Sequence, residues 1–376
     1  MPAHPALARF GIEEEAFLLR RATLDLAREV PPGFLPSCQG ILGEEVTGEI
    51  FDCQIELVSP IFHQLAAAGR YLADRRRRLA AIARAHELEL LCVAAHPFSR
   101  LYRQAPAVRP RYQPLIARQA GAAGQSLLCG LHVHVEVKGC DRVRVMNRVL
   151  PWLPLLAVLS SSSPFWGARP TGLASYRRAL CGEWPRMGVP PWFADEPAWR
   201  RYLGLLLAQR MMDDPAHTWW ALRPSVRYPT LELRIPDACP LIGDALCIAG
   251  LFRLLVAQAR RQPEVGGDVH WQRALLQENL WQARRHGRAA SFLVEGERSL
   301  SVRDCLRRAE EACQPVADGE SQWVFARAHG ILDQGASSDR QLAVYRGALD
   351  AGADNASALR RVVEHLLEEY RRPPDA

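Results

Sequence analysis

The sequence predicts an α+β fold in which one antiparallel sheet carries the chemistry. Three observations predict it. Stretches near 10–19, 49–59, 127–137 and 229–236 alternate polar and apolar residues, as half-buried strands do. Helix-period stretches lie between them. From residue 240 onward the chain reads as largely helical. No repeat or clear boundary divides the 376 residues, so 1–376 is expected to be a single catalytic domain.

Residues 10–19 (FGIEEEAFLL) put Glu13 and Glu15 on one strand face and Ile12, Glu14 and Ala16 on the other. Two carboxylates this close repel each other unless something positive sits between them. Residues 22–48, with Pro31, Pro32 and Pro36, read as a loop. Residues 49–59 (EIFDCQIELVS) read as a second strand, with Asp52, Gln54 and Glu56 opposite Phe51, Cys53, Ile55 and Leu57. A long amphipathic helix follows over 63–90, and its run Arg75–Arg78 reads as a solvated face. Residues 90–95 form a short apolar strand ending at His96, a strand-end position of the kind that often carries function.

Residues 110–125 look helical and lead into the central strand, 127–137. There Leu131, Val133, Val135 and Val137 share one face, and His132, His134 and Glu136 share the other. The helix over 141–160 is interrupted at Pro151 and Pro154. Residues 161–193 read as an ordered loop in which Arg177 or Arg178 could bind an anion. A helix is expected over 196–213. The fourth polar-faced strand lies in 219–236, with Glu232 and Arg234 opposite Leu231, Leu233 and Ile235. Further helices are expected at 241–261, 268–286, 300–314, 321–332, 338–350 and 356–371.

Composition excludes several function classes. Lys138 is the only lysine, so neither a phosphate-loop lysine nor a protein-kinase strand lysine is present. Nucleotide phosphates, if handled, must meet arginine and metal. The net charge of +6 is mild, and aromatics do not interleave with the arginine run, which argues against nucleic acid. No apolar run reaches the ~18 residues of a membrane helix. The N-terminal stretch has no apolar signal core, and the ten cysteines include no Cys-x-x-Cys pair. A reduced, cytoplasmic protein is expected.

The four polar faces carry Glu13/Glu15, Gln54/Glu56, His132/His134 and Glu232/Arg234. A merely wet face would carry lysine, serine and threonine. Carboxylate clusters within a domain call for cations. Oxygen ligands with an occasional imidazole suit Mg²⁺ or Mn²⁺ better than Zn²⁺. By spacing alone, this is a metal site on an antiparallel sheet.

These residues carry a resemblance. The stretches Gly11-Ile-Glu-Glu-Glu15, Glu56-Leu-Val-Ser-Pro60, His96-Pro-Phe98, Gly130-Leu-His-Val-His134, Ser163-Pro-Phe-Trp166, Thr171-Gly-Leu-Ala-Ser-Tyr-Arg177, Arg223-Pro-Ser225, Pro229-Thr-Leu-Glu-Leu-Arg234 and Gly335-Ala-Ser-Ser-Asp-Arg-Gln341 run in order along the chain. Together they resemble the bacterial carboxylate–amine ligases of the type-2 glutamate–cysteine ligase family, within the glutamine-synthetase-like group. The resemblance implies a six-stranded antiparallel half-barrel flanked by helices, like the glutamine-synthetase and guanido-kinase catalytic domains. It implies ATP, Mg²⁺ (or Mn²⁺), small-molecule amino-acid substrates and a homodimer. The implied reaction activates a carboxylate, typically the γ-carboxylate of glutamate, as an acyl phosphate that an amine such as that of cysteine attacks.

Carried over to this chain, Glu13, Glu15, Glu56 and Glu232 would be metal ligands. His132 would serve metal or phosphate, and His134 would support it. Arg234 would neutralise the transferring phosphoryl group, while Arg223, Arg177 and His96 would bind substrate or nucleotide. Glu49 falls where related ligases place another acidic ligand, but a regular strand would put it on the face opposite Glu56, so a bulge or turn is required between them. Pro170 and Ala221 replace acidic residues usual in the family. Ala95 stands where Thr is commoner, and Glu136 where Gly is. The changes at 170 and 221 bear on which acid and which amine are joined. A metal-dependent hydrolase and a non-catalytic nucleotide- or metabolite-binding relative are the competing readings.

Overall fold

The computed structural model describes residues 7–99, 109, 112–113, 117, 127–262, 268–296 and 298–374. Among them seven strands form one antiparallel sheet: β1 (Phe10–Arg20), β2 (Val46–Gly48), β3 (Gln54–Val58), β4 (Leu88–Leu91), β5 (Leu131–Glu136), β6 (Leu222–Pro224) and β7 (Thr230–Leu233). Their order is β6–β7–β5–β1–β3–β2, and β4 pairs with the C-terminal part of β1. The sheet is open, with β6 and β2 at its edges. Among the described residues the helices of seven residues or more are α1 (Phe34–Leu42), α2 (Leu65–Ala85), α3 (Arg142–Val149), α4 (Leu153–Leu159), α5 (Glu196–Ala208), α6 (Ile242–Ala259), α7 (Val269–His286), α8 (Val302–Cys313), α9 (Ser321–Gln334), α10 (Ser337–Asp350) and α11 (Asn355–Arg371).

Seven strands stand where the resemblance implies about six, and one of them, β2, lies in the stretch 22–48 expected as a loop. In the stretch 49–59 only Gln54–Val58 is strand, and residues 49–53 form a turn. Val46–Gly48 and Gln54–Val58 pair across a turn, closed where Gln54 N–H donates to the Phe51 carbonyl at 3.0 Å. The fourth polar-faced strand, expected near 229–236, is β7, and β6 pairs with it across the turn that begins at Pro224 and Ser225. Polar and apolar residues go on alternating through the turn residues 51–53, so the pattern does not reveal where β3 begins. The expected loop over 22–48 contains α1, whose Phe34, Cys38 and Leu42 are buried at helical spacing. Its Pro36 falls within the first turn, where a missing N–H costs little. The helix expected over 63–90 ends at Ala85, and β4 takes up 88–91 rather than 90–95. The helix expected over 110–125 lies almost wholly outside the described residues.

The apolar face of the sheet, with Ile12, Ile55, Leu57, Leu131, Val133, Val135, Leu231 and Leu233, is buried. Helix α6 packs against it on β1 and β5. This helix is long and apolar enough to cross a bilayer, and its place in the core accounts for that composition.

The arginine run 75–78 departs from expectation at one position. Arg77 and Arg78 are solvated, but Arg76 is only 3% exposed. Its Nε and Nη2 donate to the two carboxylate oxygens of Glu14 at 3.0 and 2.6 Å, and Nη2 also donates to the Cys239 carbonyl at 2.9 Å. The pair lies on the core side of β1, behind Glu13 and Glu15. Removing one partner of a buried pair leaves the other charge uncompensated. Arg76→Met is therefore expected to cost about 3–5 kcal/mol of stability in urea unfolding; a loss below ~1 kcal/mol would contradict this role.

Candidate active site

Residues directly opposite each other in an antiparallel pair share a face. The register sets Glu13 opposite His132, Glu15 opposite Glu56, Glu232 opposite His134 and Arg223 opposite Glu232. Five strands thus bring their polar residues onto one face. Glu13 reaches both imidazoles, with His132 Nδ1 and His134 Nε2 each 3.3 Å from one of its oxygens. His132 Nε2 lies 3.6 Å from Glu15 Oε1, and the other Glu15 oxygen accepts the Gly130 N–H at 2.5 Å. His134 Nδ1 is 2.9 Å from the Thr230 hydroxyl. Arg234, just past the end of β7, donates from Nη1 to Glu232 at 2.5 Å and places that nitrogen 3.5 Å from His132 Nδ1.

The charges are uneven. Burial opposes the charge on Glu13, yet hydrogen bonds from His132 and His134 hold its carboxyl well below the usual range. Burial likewise opposes Glu232, and Arg223, Arg234 and His134 hold it low. Glu56 goes the other way: burial, then the carboxylates of Glu49, Glu13 and Glu15, push its carboxyl well up. His132 is kept neutral by burial and by Arg234. One end of the face is therefore balanced by arginine, and the other, around Glu15, Glu49 and Glu56, holds surplus negative charge.

That surplus fits a divalent cation. The donor atoms of Glu13, His132 and Glu232 lie within 4.8 Å of one another, as do those of Glu15, Glu56 and His132. Hard oxygen donors with one shared imidazole are the donor set that Mg²⁺ or Mn²⁺ accepts. Glu49 joins this end of the site. The turn between β2 and β3 supplies the break in alternation that its position requires, and its charge acts on Glu56.

Three candidates are placed differently. His96 is 2% exposed and lies outside the cluster. Its Nδ1 accepts from the Phe98 and Ser99 N–H groups at 3.3 and 3.1 Å, which leaves Nε2 to donate to the Leu24 carbonyl at 2.9 Å. Both ring nitrogens are spent on backbone, so His96 fastens two loops. Arg177 gives its Nη atoms to the Arg234, Ile235 and Pro236 carbonyls at 3.1–3.3 Å, with Asp237 at 3.7 Å. It holds the backbone that carries Arg234, so a free anion is not its partner. Arg223 grips Glu232 through Nε and Nη2 at 2.9 and 3.0 Å and also bonds the Ala216 carbonyl at 2.7 Å. It orients Glu232 and has no arm left for a nucleotide.

Gly130 and Thr230 were legible as motif letters but not as functional residues. A Cβ on Gly130 would lie 2.4 Å from Arg177 Nη2 and 3.2 Å from His132 Nε2, so only glycine lets the two approach. Ala221 is buried, and its carbonyl accepts the Arg234 N–H at 2.8 Å, which places this departure from the family pattern directly behind Arg234. Pro170 is exposed in a two-residue strand paired with Phe165.

Burial lowers the His96 pKa from 6.5 to about 4. Between those values the unfolded chain binds a proton that the folded chain refuses. Stability is therefore full above pH 6.5 and falls as the pH drops toward 4, by about 3 kcal/mol from this residue. Comparing urea unfolding of wild type and His96→Gln at pH 7 and 4.5 checks this: the variant's acid-dependent loss should be the smaller.

Comparisons with known proteins follow the same lines. A family model described as "Glutamate-cysteine ligase family 2" matches residues 9–365. A protein of Pseudomonas paraeruginosa named "Putative glutamate--cysteine ligase 2" is 49% identical over 362 residues, covering 96% of this chain and 95% of the relative. One of the same name from Pseudomonas aeruginosa is 48% identical over 370 residues, covering 97% and 96%. Among solved structures, a glutamate–cysteine ligase from Francisella tularensis in complex with AMP superposes with a TM-score of 0.72 at 12% identity, over 98% of this chain and 89% of that one. A bifunctional glutathione synthetase from Pasteurella multocida superposes with a TM-score of 0.73 at 13% identity, over 98% of this chain. This chain spans 53% of that enzyme's length. At such identities the two structures establish a shared fold.

Proposed function

The chain belongs to glutamate–cysteine ligase family 2, whose members are ATP-dependent ligases that form C–N bonds, and from that premise we propose that it activates an amino-acid carboxylate with ATP and Mg²⁺ and joins it to an amine. The γ-phosphoryl group passes from ATP to the carboxylate oxygen and ADP departs. The amine then attacks the acyl carbon, inorganic phosphate leaves with the C–O bond electrons, the amine loses a proton, and an amide results. Glutamate, through its γ-carboxylate, and cysteine are the first substrates to test.

The observation that carries this reading is the pairing of a carboxylate-rich end with Arg234 on one face. Phosphoryl transfer needs spreading negative charge neutralised at fixed positions. Bound Mg²⁺ would supply that neutralisation. Glu13, Glu15, Glu56, Glu232 and His132 are the residues that would hold it, with Glu49 beside them. Burial works against the Arg234 charge, but Glu232, Glu15 and Glu13 stabilise it, so the guanidinium stays cationic throughout the working range. Arg177 and Arg223 keep Arg234 and Glu232 in place, and His134 with Thr230 orients Glu13. The work is that of a cytoplasmic enzyme acting on small molecules.

ADP release from purified protein with ATP and Mg²⁺ tests the proposal, with amino acids supplied singly and then in pairs with glutamate and with cysteine. Release that needs one specific pair, with the matching dipeptide mass, is the expected result. Tight ATP–Mg²⁺ binding without ADP release for any pair would overturn it in favour of a non-catalytic role.

A further inference from the structure

Three of the motif stretches, 163–166, 171–177 and 335–341, contribute no ligand to either donor group among the described residues. The structure gives them a common destination. Two of them meet at one buried acid, Asp237, three residues beyond Arg234 in the chain. Oδ2 of Asp237 accepts the Ser162 N–H at 3.0 Å and the Ser163 hydroxyl at 2.9 Å. Oδ1 accepts the Ser175 hydroxyl at 2.9 Å and faces Arg177 Nη1 at 3.7 Å. The Ser162 N–H and the Arg177 guanidinium can only donate, so these contacts call for the carboxylate and not the neutral acid. Burial pushes the Asp237 pKa up, while Arg177 and the serine donors oppose the rise.

The serine run is braced from its far side by the third stretch. The Ser338 N–H donates to the Ser161 carbonyl at 2.9 Å, and the Ser161 and Ser338 hydroxyls lie 2.8 Å apart. Gln341 Nε2 donates to the Ser162 carbonyl at 2.8 Å. Both Ser338 and Gln341 belong to α10. On its near side Asp237 faces Arg177, whose Nη atoms grip the Arg234, Ile235 and Pro236 carbonyls. The same segment is sewn to the start of β5. The Leu131 N–H donates to the Pro236 carbonyl at 3.2 Å, and the Ala238 N–H to the Cys129 carbonyl at 3.3 Å. Residues 234–238 are thus held along both edges, with the Arg234 guanidinium at the end that reaches His132.

We propose that Asp237 is the positioning residue for Arg234. Its charge keeps the buried Arg177 guanidinium against the three carbonyls, and those carbonyls set where Arg234 stands on the polar face. A buried guanidinium that loses its counter-charge is costly and turns toward other partners. The consequence for rate rests on the ligase reading; the consequence for placement does not, and the test reads the two separately.

Asp237→Asn is the selective cut. Its amide oxygen can turn to Ser162 and Ser163, and its NH₂ can donate to the Ser175 hydroxyl, but that NH₂ then faces Arg177 donor to donor. Hydrogen–deuterium exchange of the full chain without ligand reads placement. The N–H groups of Arg234, Ile235 and Ala238 bond the Ala221 and Cys129 carbonyls. They should exchange ~10-fold faster or more in the variant, with α5 and α8 unchanged. Unchanged exchange over 234–238, or a rise spread evenly along the chain, would overturn the proposal. ADP release reads the rate. There kcat should fall about 10–100-fold, with KM for ATP within ~2-fold of wild type, because a misplaced group costs rate more than binding. In an Arg234→Lys background no guanidinium is left to place, so the further loss from Asp237→Asn should shrink to within ~2-fold. An undiminished loss in that background, or a raised KM with unchanged kcat, would also overturn it. If wild type releases no ADP, the ligase reading fails and the exchange result still decides the placement. If far-UV circular dichroism shows Asp237→Asn unfolded, Ser175→Ala takes its place, since it removes one donor from the same carboxylate. A local rise in exchange over 234–238 is expected there too, and its absence would refute the role.

Discussion

Glu13→Gln is expected to abolish ligase turnover, lowering ADP release ~100-fold or more, the scale on which even residues behind a metal's ligands act. Glu13 is the hub of the polar face. Its two oxygens reach His132 and His134 at 3.3 Å, and it belongs with His132 and Glu232 to one of the two donor groups. Hydrogen bonds from the two imidazoles hold its carboxyl low despite burial, so it is ionised at any working pH. Glutamine keeps the shape but offers no charge, and it turns one oxygen into a donor facing an imidazole. The fold should survive, because the face already holds surplus negative charge around Glu56 and losing one carboxylate eases that repulsion. Steady-state ADP release paired with a thermal melt measures both halves. Wild-type turnover in the variant would remove Glu13 from the site; a collapsed melt would mean that its role is structural.

Arg234→Lys is the second large effect: kcat should fall by roughly 10²–10³, the loss seen when one group that stabilises transition-state charge is removed. Arg234 does two things with one planar group. Its Nη1 binds Glu232 at 2.5 Å and stands 3.5 Å from His132. Lysine brings a point charge on a flexible stem and cannot hold both directions at once. The backbone beneath should not move, since Arg177 and the Ala221 carbonyl hold residue 234 through its main chain. Because the missing interaction strengthens as charge spreads in the transition state, kcat and kcat/KM for ATP should fall together. Near-normal rates would refute the role; a raised KM with unchanged kcat would make Arg234 a ground-state binder.

Much of this protein is local and therefore legible in one dimension. The alternation of Leu131, Val133 and Val135 against His132 and His134 determined β5, its buried face and its chemistry. Glu13 and Glu15 did the same for β1, because period two is a property of neighbouring residues. The surplus of carboxylates and the single lysine already pointed to metal and arginine. The tertiary structure decided everything that depends on a distant partner. It made residues 49–53 a turn between β2 and β3 and so set Glu49 where its charge acts on Glu56. It buried Arg76 on Glu14, while Arg77 and Arg78, its neighbours in sequence, stayed in water. It turned Arg177, Arg223 and His96 from candidate ligand binders into supports: Arg177 is spent on the Ile235 carbonyl and its neighbours, Arg223 on the Glu232 carboxylate, and His96 Nε2 on the distant Leu24 carbonyl. A sequence states which groups a chain owns. Whether a long side chain is free for a ligand or already satisfied depends on the carbonyls that folding places within ~3 Å of it, and no local pattern encodes that.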